Sequence, residues 1–289
     1  MDRSSFYLSQ DDTKIWHGTV GSGPALVLCD GLACDGFIWP YIVDHFLEHF
    51  TVVRWHYRGH GMSDDPPHHD SMTVEHLCAD LDGVLDALEI DQAILAGHSM
   101  GVQVVLQYCD LHPERVSGLI PICGSYKRPL DTLHNTDLLL RALPRLKQLV
   151  ATSPTAAQAL WQTVVPSRFS HAFAMLTEVN NQLARGSDFL PYLEHVAEMN
   201  VEVFLAMLEG VANHTTEDLL ADIDAPTLIV AGDRDEITPL FRSEEMHELI
   251  PDSELLVLEG GTHVAPIELP DELNAAIETF LVERDLLQE

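Results

Sequence analysis

Positively charged residues are scarce in this chain of 289 residues. It has 15 lysine and arginine residues against 46 aspartate and glutamate residues, a formal net charge of -31 with neutral histidines. Only three of the basic residues are lysines, namely Lys14, Lys127 and Lys147. A surface of this sign repels phosphate groups, so nucleic acids and anionic membranes are not expected as partners.

Long apolar runs and paired cysteines are absent as well. No uninterrupted apolar stretch reaches the roughly 18 residues of a membrane-spanning helix, and the start, MDRSSFYLSQDD, does not have the order of basic, apolar and small residues of a secretory signal. The five cysteines are odd in number and form no CxxC pair. We therefore expect a cytoplasmic protein with reduced thiols, no disulfides and no metal site.

Short apolar runs rich in β-branched residues predict the strands of a central sheet. Each run is apolar on consecutive residues, which is typical of strands buried on both faces. They lie at 25–29, 51–56, 93–97, 117–123, 227–232 and 254–260.

Amphipathic stretches with apolar positions three and four apart separate these runs and predict helices. They lie at 38–49, 73–89, 239–249 and from about 270 onward. The alternation predicts the α/β class, with a mostly parallel central sheet flanked by helices.

Between about Lys127 and Leu220 the strand pattern disappears. Helical stretches take its place, and prolines interrupt them. We interpret residues 127–220 as a helical insertion after strand 117–123, and residues 1–126 and 221–289 as one core.

The segment Gly97-His98-Ser99-Met100-Gly101 matches the pattern G-x-S-x-G. An apolar strand runs into Ser99 and a helical stretch follows it, which predicts a tight turn that pushes the serine hydroxyl out above the sheet. Glycines are needed on both sides because side chains there would strike the neighbouring strand and helix. Ser99 is therefore the candidate nucleophile.

A serine hydroxyl needs a base, and the chain has 16 histidines. His263 is the candidate because it lies in a glycine-rich loop after the last predicted strand, at the same edge of the sheet as Ser99. His98 adjoins the nucleophile but points the wrong way to serve as its base. The acid that orients His263 is sought in AGDRDEITP, after strand 227–232, which offers Asp233, Asp235 and Glu236.

Within that segment, Gly232, Asp235 and Pro239 form a G-x-x-D-x-x-x-P loop. The chain here resembles the α/β-hydrolase superfamily, and in particular its capped, esterase-like serine hydrolases, over residues 15–126 and 221–285. The resemblance implies that Asp235 is the acid of a catalytic triad. Its order along the chain, nucleophile then acid then histidine, is met by Ser99, Asp235 and His263.

Two backbone N–H groups are expected to stabilise the oxyanion of the reaction. One is that of Met100. By resemblance the other follows strand 25–29, where the family usually has His-Gly and an apolar residue and this chain has Asp30-Gly31-Leu32, so we assign it to Leu32.

A second departure from the family occurs at residue 56. The segment 56–63 is similar to the family's D-x-R-G-x-G-x-S turn, but His56 stands where aspartate is usual. We hypothesise that Asp30 and His56 have exchanged places and contact each other.

The resemblance implies that the insertion, residues 127–220, forms a cap over the nucleophile and selects the substrate. Its large apolar side chains either line a pocket or pack the cap onto the core. The pocket candidates are Gly31, Trp39, His98, Trp161, Phe173 and Met207, with Leu139, Leu143, Phe169, Met175, Leu176 and Phe204 as further apolar side chains of the cap. Because the insertion has few basic residues, an uncharged, apolar substrate is expected.

The leading hypothesis is a carboxylic ester hydrolase that acts on a small molecule through an acyl-enzyme and needs no cofactor. Lactonase, thioesterase, amidase, carbon–carbon hydrolase and perhydrolase activities use the same constellation, and some capped proteins of this fold are ligand sensors, so these alternatives stay open, as does a homodimer. Haloalkane dehalogenase and epoxide hydrolase chemistry is disfavoured, because those enzymes use an aspartate nucleophile.

Overall fold

A twisted sheet forms the centre of the protein, seen in a computed structural model that describes residues 3–128, 138–167, 179–180, 183 and 186–287. Within those residues the sheet has eight strands in the order β1-β2-β4-β3-β5-β6-β7-β8. Their bounds are Arg3–Leu8 (β1), Lys14–Gly21 (β2), Ala25–Cys29 (β3), Thr51–Trp55 (β4), Ala93–His98 (β5), Val116–Ile122 (β6), Thr227–Gly232 (β7) and Ser253–Leu258 (β8). Strand β2 pairs antiparallel with β1 and with β4, and the remaining pairs are parallel. The α/β class with a mostly parallel sheet is thus confirmed.

The six predicted strands are present, with ends shifted by two residues at most. Strands β1 and β2 were not among the predicted strands. Strand β1 is an edge strand whose side chains are almost all exposed, so it has no apolar run that would mark it.

Helices cover both faces of the sheet. In β3, Val27 packs on one face with the helices that begin at Val74 and Met100, whereas Leu26 and Leu28 pack on the other with those that begin at Pro40 and Pro270. The helix that starts after Thr73 receives a cap, since the Thr73 hydroxyl accepts a hydrogen bond from the His76 N–H. The helices of the core are Pro40–Phe46 (α1), Val74–Ala87 (α2), Met100–Leu111 (α3), Leu240–Leu249 (α8), Ala265–Glu268 (α9) and Pro270–Glu283 (α10).

Between β6 and β7 the described regular elements are helical. They are Leu138–Thr152 (α4), Pro154–Val164 (α5), Gly186–Glu198 (α6), Val201–Asn213 (α7) and a short 3-10 turn at Glu217–Asp222. Helix α7 joins this insertion to the core, because Val203, Met207 and Val211 are buried in the same cluster as residues of the sheet. None of the described helices is both long and apolar enough to cross a lipid bilayer.

A buried ion pair fixes the turn after β4 to helix α2. The Arg58 guanidinium donates two hydrogen bonds of 2.8 Å to the Asp80 carboxylate, and their side chains are 2% and 0% exposed. Arg58 also donates to Asp11 and Ser9, in the connection between β1 and β2. This pair therefore joins the turn to the edge of the sheet that carries β1.

We expect Asp80→Ala to lower the free energy of unfolding by about 3 to 5 kcal/mol, because it leaves the buried Arg58 charge without its main partner. Urea denaturation would measure this. Asp86→Ala on the same helix is the control: Asp86 is 68% exposed and its pair with Arg115 should contribute only about 0 to 1 kcal/mol. Equal effects of the two substitutions would contradict the structural role of Asp80.

Candidate active site

Ser99 occupies the turn between β5 and α3 in an unusual backbone conformation. Its φ is 56° and its ψ is -116°, a region that non-glycine residues rarely adopt. The Ser99 N–H donates a hydrogen bond of 3.0 Å to the Ile122 carbonyl at the end of β6. The turn is thereby held to the neighbouring strand, and the side chain is left half-buried at the carboxyl edge of the sheet.

The two glycines of the G-x-S-x-G segment allow helix α3 to lie directly against the sheet. A Cβ atom on Gly97 would lie 2.4 Å from the Gly101 carbonyl oxygen, and one on Gly101 would lie 2.2 Å from the Cys29 carbonyl oxygen. Both distances are too short for any side chain. The spacing of the motif therefore reflects a close crossing of α3 over β5 and β3.

His263 lies in the loop that follows β8 and contacts Ser99 directly. Its Nε2 atom is 2.8 Å from the Ser99 Oγ, and its Nδ1 atom is 2.9 Å from an oxygen of Asp235. An ionised carboxylate can only accept, so Nδ1 carries the proton and Nε2 accepts from the serine hydroxyl. The three side chains predicted to form a triad are thus joined by hydrogen bonds.

Asp235 is buried, and its carboxylate accepts four hydrogen bonds. Beside His263, the donors are the Ile237 N–H at 2.9 Å, the Thr238 N–H at 2.8 Å and the Thr238 hydroxyl at 2.7 Å. Burial alone would raise the pKa of Asp235, but the His263 charge and these hydrogen bonds outweigh it and lower the pKa. Asp235 therefore stays ionised beside His263. Thr238 was not predicted as a residue of the site. Its one signal in the sequence was its position directly before Pro239.

The other two acidic residues of the same loop are exposed. The Asp233 carboxylate accepts a hydrogen bond of 2.6 Å from the Gly260 N–H, at the start of the loop that carries His263. Glu236 is exposed as well. Among these three acidic side chains, Asp235 is the one described in contact with the His263 ring.

The loop after β3 lies against the nucleophile. A Cβ atom on Gly31 would be 3.1 Å from the Ser99 Cβ, so the backbone at Leu32 passes next to the serine. The N–H of Ala33, the residue after Leu32, donates a hydrogen bond of 3.1 Å to His60 Nε2. This bond fixes the loop after β3 to the turn after β4. Met100 is the first residue of α3, and N–H groups in the first turn of a helix have no acceptor within the helix.

The hypothesis of a contact between Asp30 and His56 is wrong. In the described residues the Asp30 carboxylate accepts from the Trp39 indole N–H at 2.7 Å, and His56 Nδ1 accepts from the Met62 N–H at 2.9 Å. Burial raises the pKa of Asp30 to about 8 and lowers that of His56 to about 4. The Asp30 carboxylate is thus bound within the loop after β3, whereas His56 contacts its own turn and the Asp35 backbone. Both side chains lie in buried sites that disfavour their charged forms.

Two of the pocket candidates, Trp39 and His98, are buried and contact residues next to Ser99 and His263. Trp39 is 1% exposed, so its ring packs in the core while its N–H holds Asp30. His98 is also buried, and its Nε2 lies 2.8 Å from the His263 carbonyl oxygen. His98 therefore contacts the backbone of the candidate base and not the serine hydroxyl.

The remaining pocket candidates belong to the insertion. Trp161 is half-buried, and its ring is tilted by 46° against that of Phe204 with centroids 4.8 Å apart. It packs against the same buried cluster as Leu32. Met207 is fully buried among core residues. Phe173 lies outside the described residues, as do Phe169, Met175 and Leu176, and nothing is described of the Leu139 side chain. An apolar cluster therefore adjoins the loop next to Ser99.

In the part of the chain that the structure describes, no group of three or more histidine, cysteine, aspartate and glutamate side chains is arranged to hold a metal ion. The five cysteines are buried and form no disulfide. Burial raises the pKa of Cys34 and Cys123 well above that of an ordinary thiol, so both remain protonated.

Comparison with known proteins places this geometry in a family. A family model described as the alpha/beta hydrolase fold matches residues 24–270. The 3-oxoadipate enol-lactonase 2 of Acinetobacter baylyi is 25% identical over 277 residues, 95% of each chain. A thermophilic esterase from Thermogutta terrifontis has a TM-score of 0.80 at 21% identity, covering 98% of this chain and 99% of the esterase. The enol-lactonase from Burkholderia xenovorans has a TM-score of 0.76 at 21% identity, covering 96% and 100%.

The family model spans most of the chain, and the solved structures share its fold over nearly their whole length. The chain therefore belongs to the alpha/beta hydrolase fold family.

Proposed function

We propose that this protein is a serine hydrolase that cleaves carboxylic esters of small to medium, uncharged, apolar substrates through an acyl-enzyme. The observation that carries the proposal is the chain of hydrogen bonds from the Ser99 Oγ to His263 Nε2, at 2.8 Å, and from His263 Nδ1 to Asp235, at 2.9 Å. This is the arrangement by which a neutral imidazole activates a serine hydroxyl.

In the first half of the reaction, the Ser99 Oγ attacks the ester carbonyl carbon and its proton passes to His263 Nε2. The carbonyl oxygen becomes an oxyanion, which the N–H groups of Leu32 and Met100 stabilise. The negative charge of Asp235 stabilises the imidazolium. When the intermediate collapses, the bond to the alcohol breaks and the departing alkoxide takes the proton from His263.

In the second half, water attacks the acyl-enzyme. His263 accepts a proton from this water, a second tetrahedral intermediate forms, and its collapse breaks the bond to the Ser99 Oγ. The proton on His263 returns to the serine oxygen. The carboxylic acid leaves and the free enzyme is restored without a cofactor.

The preference for uncharged, apolar groups is supported by the side chains next to the nucleophile loop. Leu32, Trp161 and Phe204 pack against one buried cluster, which contains Val196 and Met199 of the insertion. A charged acyl group placed there would lose its hydration without gaining a partner, which is costly.

Lactone hydrolysis is a second candidate. It is favoured by the similarity to an enol-lactonase over 95% of both chains. A lactone is a cyclic ester, so the steps are the same, except that the alcohol released in the first half remains attached to the acyl group.

Ser99→Ala should reduce the turnover of p-nitrophenyl butyrate at least about 1,000-fold, because the nucleophile is lost while the rest of the site remains. Ser243→Ala removes another buried hydroxyl, on α8, and should leave turnover unchanged. Circular dichroism would confirm that both variants fold. If Ser99→Ala kept more than about a tenth of the parent rate, Ser99 would not be the nucleophile.

Asp235→Asn should lower kcat about 10,000-fold, because an amide N–H facing His263 Nδ1 favours the wrong tautomer and removes the counter-charge. Asp233→Asn is the matched control, two residues away in the same loop. Since Asp233 contacts the Gly260 backbone and not the His263 ring, Asp233→Asn should lower kcat far less than Asp235→Asn does. The reverse order would move the role of the acid to Asp233.

A panel of p-nitrophenyl esters from acetate to dodecanoate, run beside uncharged aliphatic lactones, should separate the two candidates. We expect kcat/KM to rise from acetate toward medium chains, because the apolar cluster at Leu32 favours their burial. If lactones exceed every linear ester in kcat/KM, lactone hydrolysis is the better assignment. Failure to hydrolyse either class would contradict both.

A further inference from the structure

The loop that presents His263 to Ser99, residues 260–263, is held by a buried carboxylate that the proposed chemistry does not use. Glu268, at the end of α9, is 5% exposed. One of its oxygens accepts a hydrogen bond of 2.7 Å from the Thr262 N–H, and the other accepts one of 2.9 Å from the Thr262 hydroxyl. Glu268 thus fixes the residue immediately before His263.

The same carboxylate reaches the helical insertion. The Asn180 N–H donates a hydrogen bond of 2.6 Å to Glu268, and the Asn180 side chain donates one of 2.9 Å to the Gly260 carbonyl. The preceding residue, Val179, is buried in a core cluster that also contains Val264. Asn180 is therefore bonded directly to Gly260 at the start of the loop and, through Glu268, to Thr262 near its end.

An acid group in this position is costly, because desolvation disfavours its charged form. Burial raises the pKa of Glu268, the hydrogen bonds from Thr262 and Asn180 act against this, and the nearby Asp235 charge raises it further. Three hydrogen-bond donors converge on the two Glu268 oxygens. Only a carboxylate can accept from all of them without presenting a donor of its own.

We propose that Glu268 is a positioning residue that couples the insertion, through Asn180, to the loop carrying His263. The inference rests on the proposed role of His263 as the base. His98 contacts the His263 carbonyl oxygen, and Glu268 accepts from the Thr262 N–H and from the Asn180 N–H of the insertion. A shift of Asn180 is transmitted to His263 because the two are joined through one carboxylate and one residue of backbone.

The first test is Glu268→Gln, which keeps the shape of the side chain but turns one acceptor into a donor facing Thr262 or Asn180. We expect kcat for p-nitrophenyl butyrate to fall about 10- to 100-fold, the cost of a small misplacement of a catalytic group. KM should change little, because the apolar cluster at Leu32 is untouched. Glu272→Gln, at an exposed position on α10, removes the same charge and should leave both constants unchanged.

A second pair of variants keeps the test decisive if Glu268→Gln does not fold. Thr262→Val removes the hydroxyl that Glu268 accepts from and preserves the side-chain volume, so kcat should fall. Thr262→Ser keeps the hydroxyl and should therefore retain most of the parent kcat. If valine and serine give the same kcat, the hydrogen bond to Glu268 does not position the base.

A readout that does not depend on turnover separates this inference from the proposed function. The proton between His263 Nδ1 and Asp235 should give a downfield resonance in the proton NMR spectrum, assigned by its absence in His263→Ala. In Glu268→Gln it should move or exchange faster with water, whereas Glu272→Gln should match the parent. If the resonance and kcat are both unchanged in Glu268→Gln, the positioning role is overturned. If the resonance changes although the parent cleaves no ester, the coupling stands and the ester hydrolase assignment fails.

Discussion

The close crossing of α3 over β3 and β5 is the constraint on which the rest of the site depends. It leaves no room for a side chain at positions 97 and 101, and it holds Ser99 at a positive φ. A strained conformation of this kind persists only where the surrounding structure determines it. Here the parallel sheet does so, because it aligns β3, β5 and β6 and the loop after β3 must then pass over the serine.

The opposite side of the site is held by polar contacts. Asp235 and Glu268 are both buried carboxylates that accept hydrogen bonds from several N–H and O–H donors. The donors to Asp235 include the nearby Thr238, whereas those to Glu268 include the nearby Thr262 and the distant Asn180. The two carboxylates act on different parts of the site. Asp235 contacts the His263 ring, whereas Glu268 contacts the backbone of the residue before His263. Buried acids with a full set of donors define geometry well, because any displacement leaves a charge without partners.

Sequence patterns predicted the elements that are marked locally. Ser99, Asp235 and His263 each follow a predicted strand, so the sheet edge where they lie could be foreseen from apolar runs and glycines. The hydrogen-bond partners of other side chains could not be predicted from the sequence, because they depend on packing between distant segments. Asp30 is bound by Trp39 and not by His56, and the Asn180 N–H that reaches Glu268 is 88 residues away in the chain. The edge strand β1 escaped prediction for a different reason, since its side chains are almost all exposed and it needs no apolar run.

The formal charge of -31 contrasts with the electrostatics around Ser99. Burial, more than any neighbouring charge, lowers the pKa of His60 and His98 to about 3 each, so both rings are neutral at neutral pH. Burial of Asp30 raises its pKa to about 8, which favours its uncharged form as well. Asp235 departs from this pattern, because its hydrogen bonds and His263 keep it ionised. In the proposed reaction the negative charge of Asp235 therefore faces the imidazolium that forms on His263. The neutral His98 ring, whose centroid is 5.0 Å from that of His263, adds no positive charge that would oppose it.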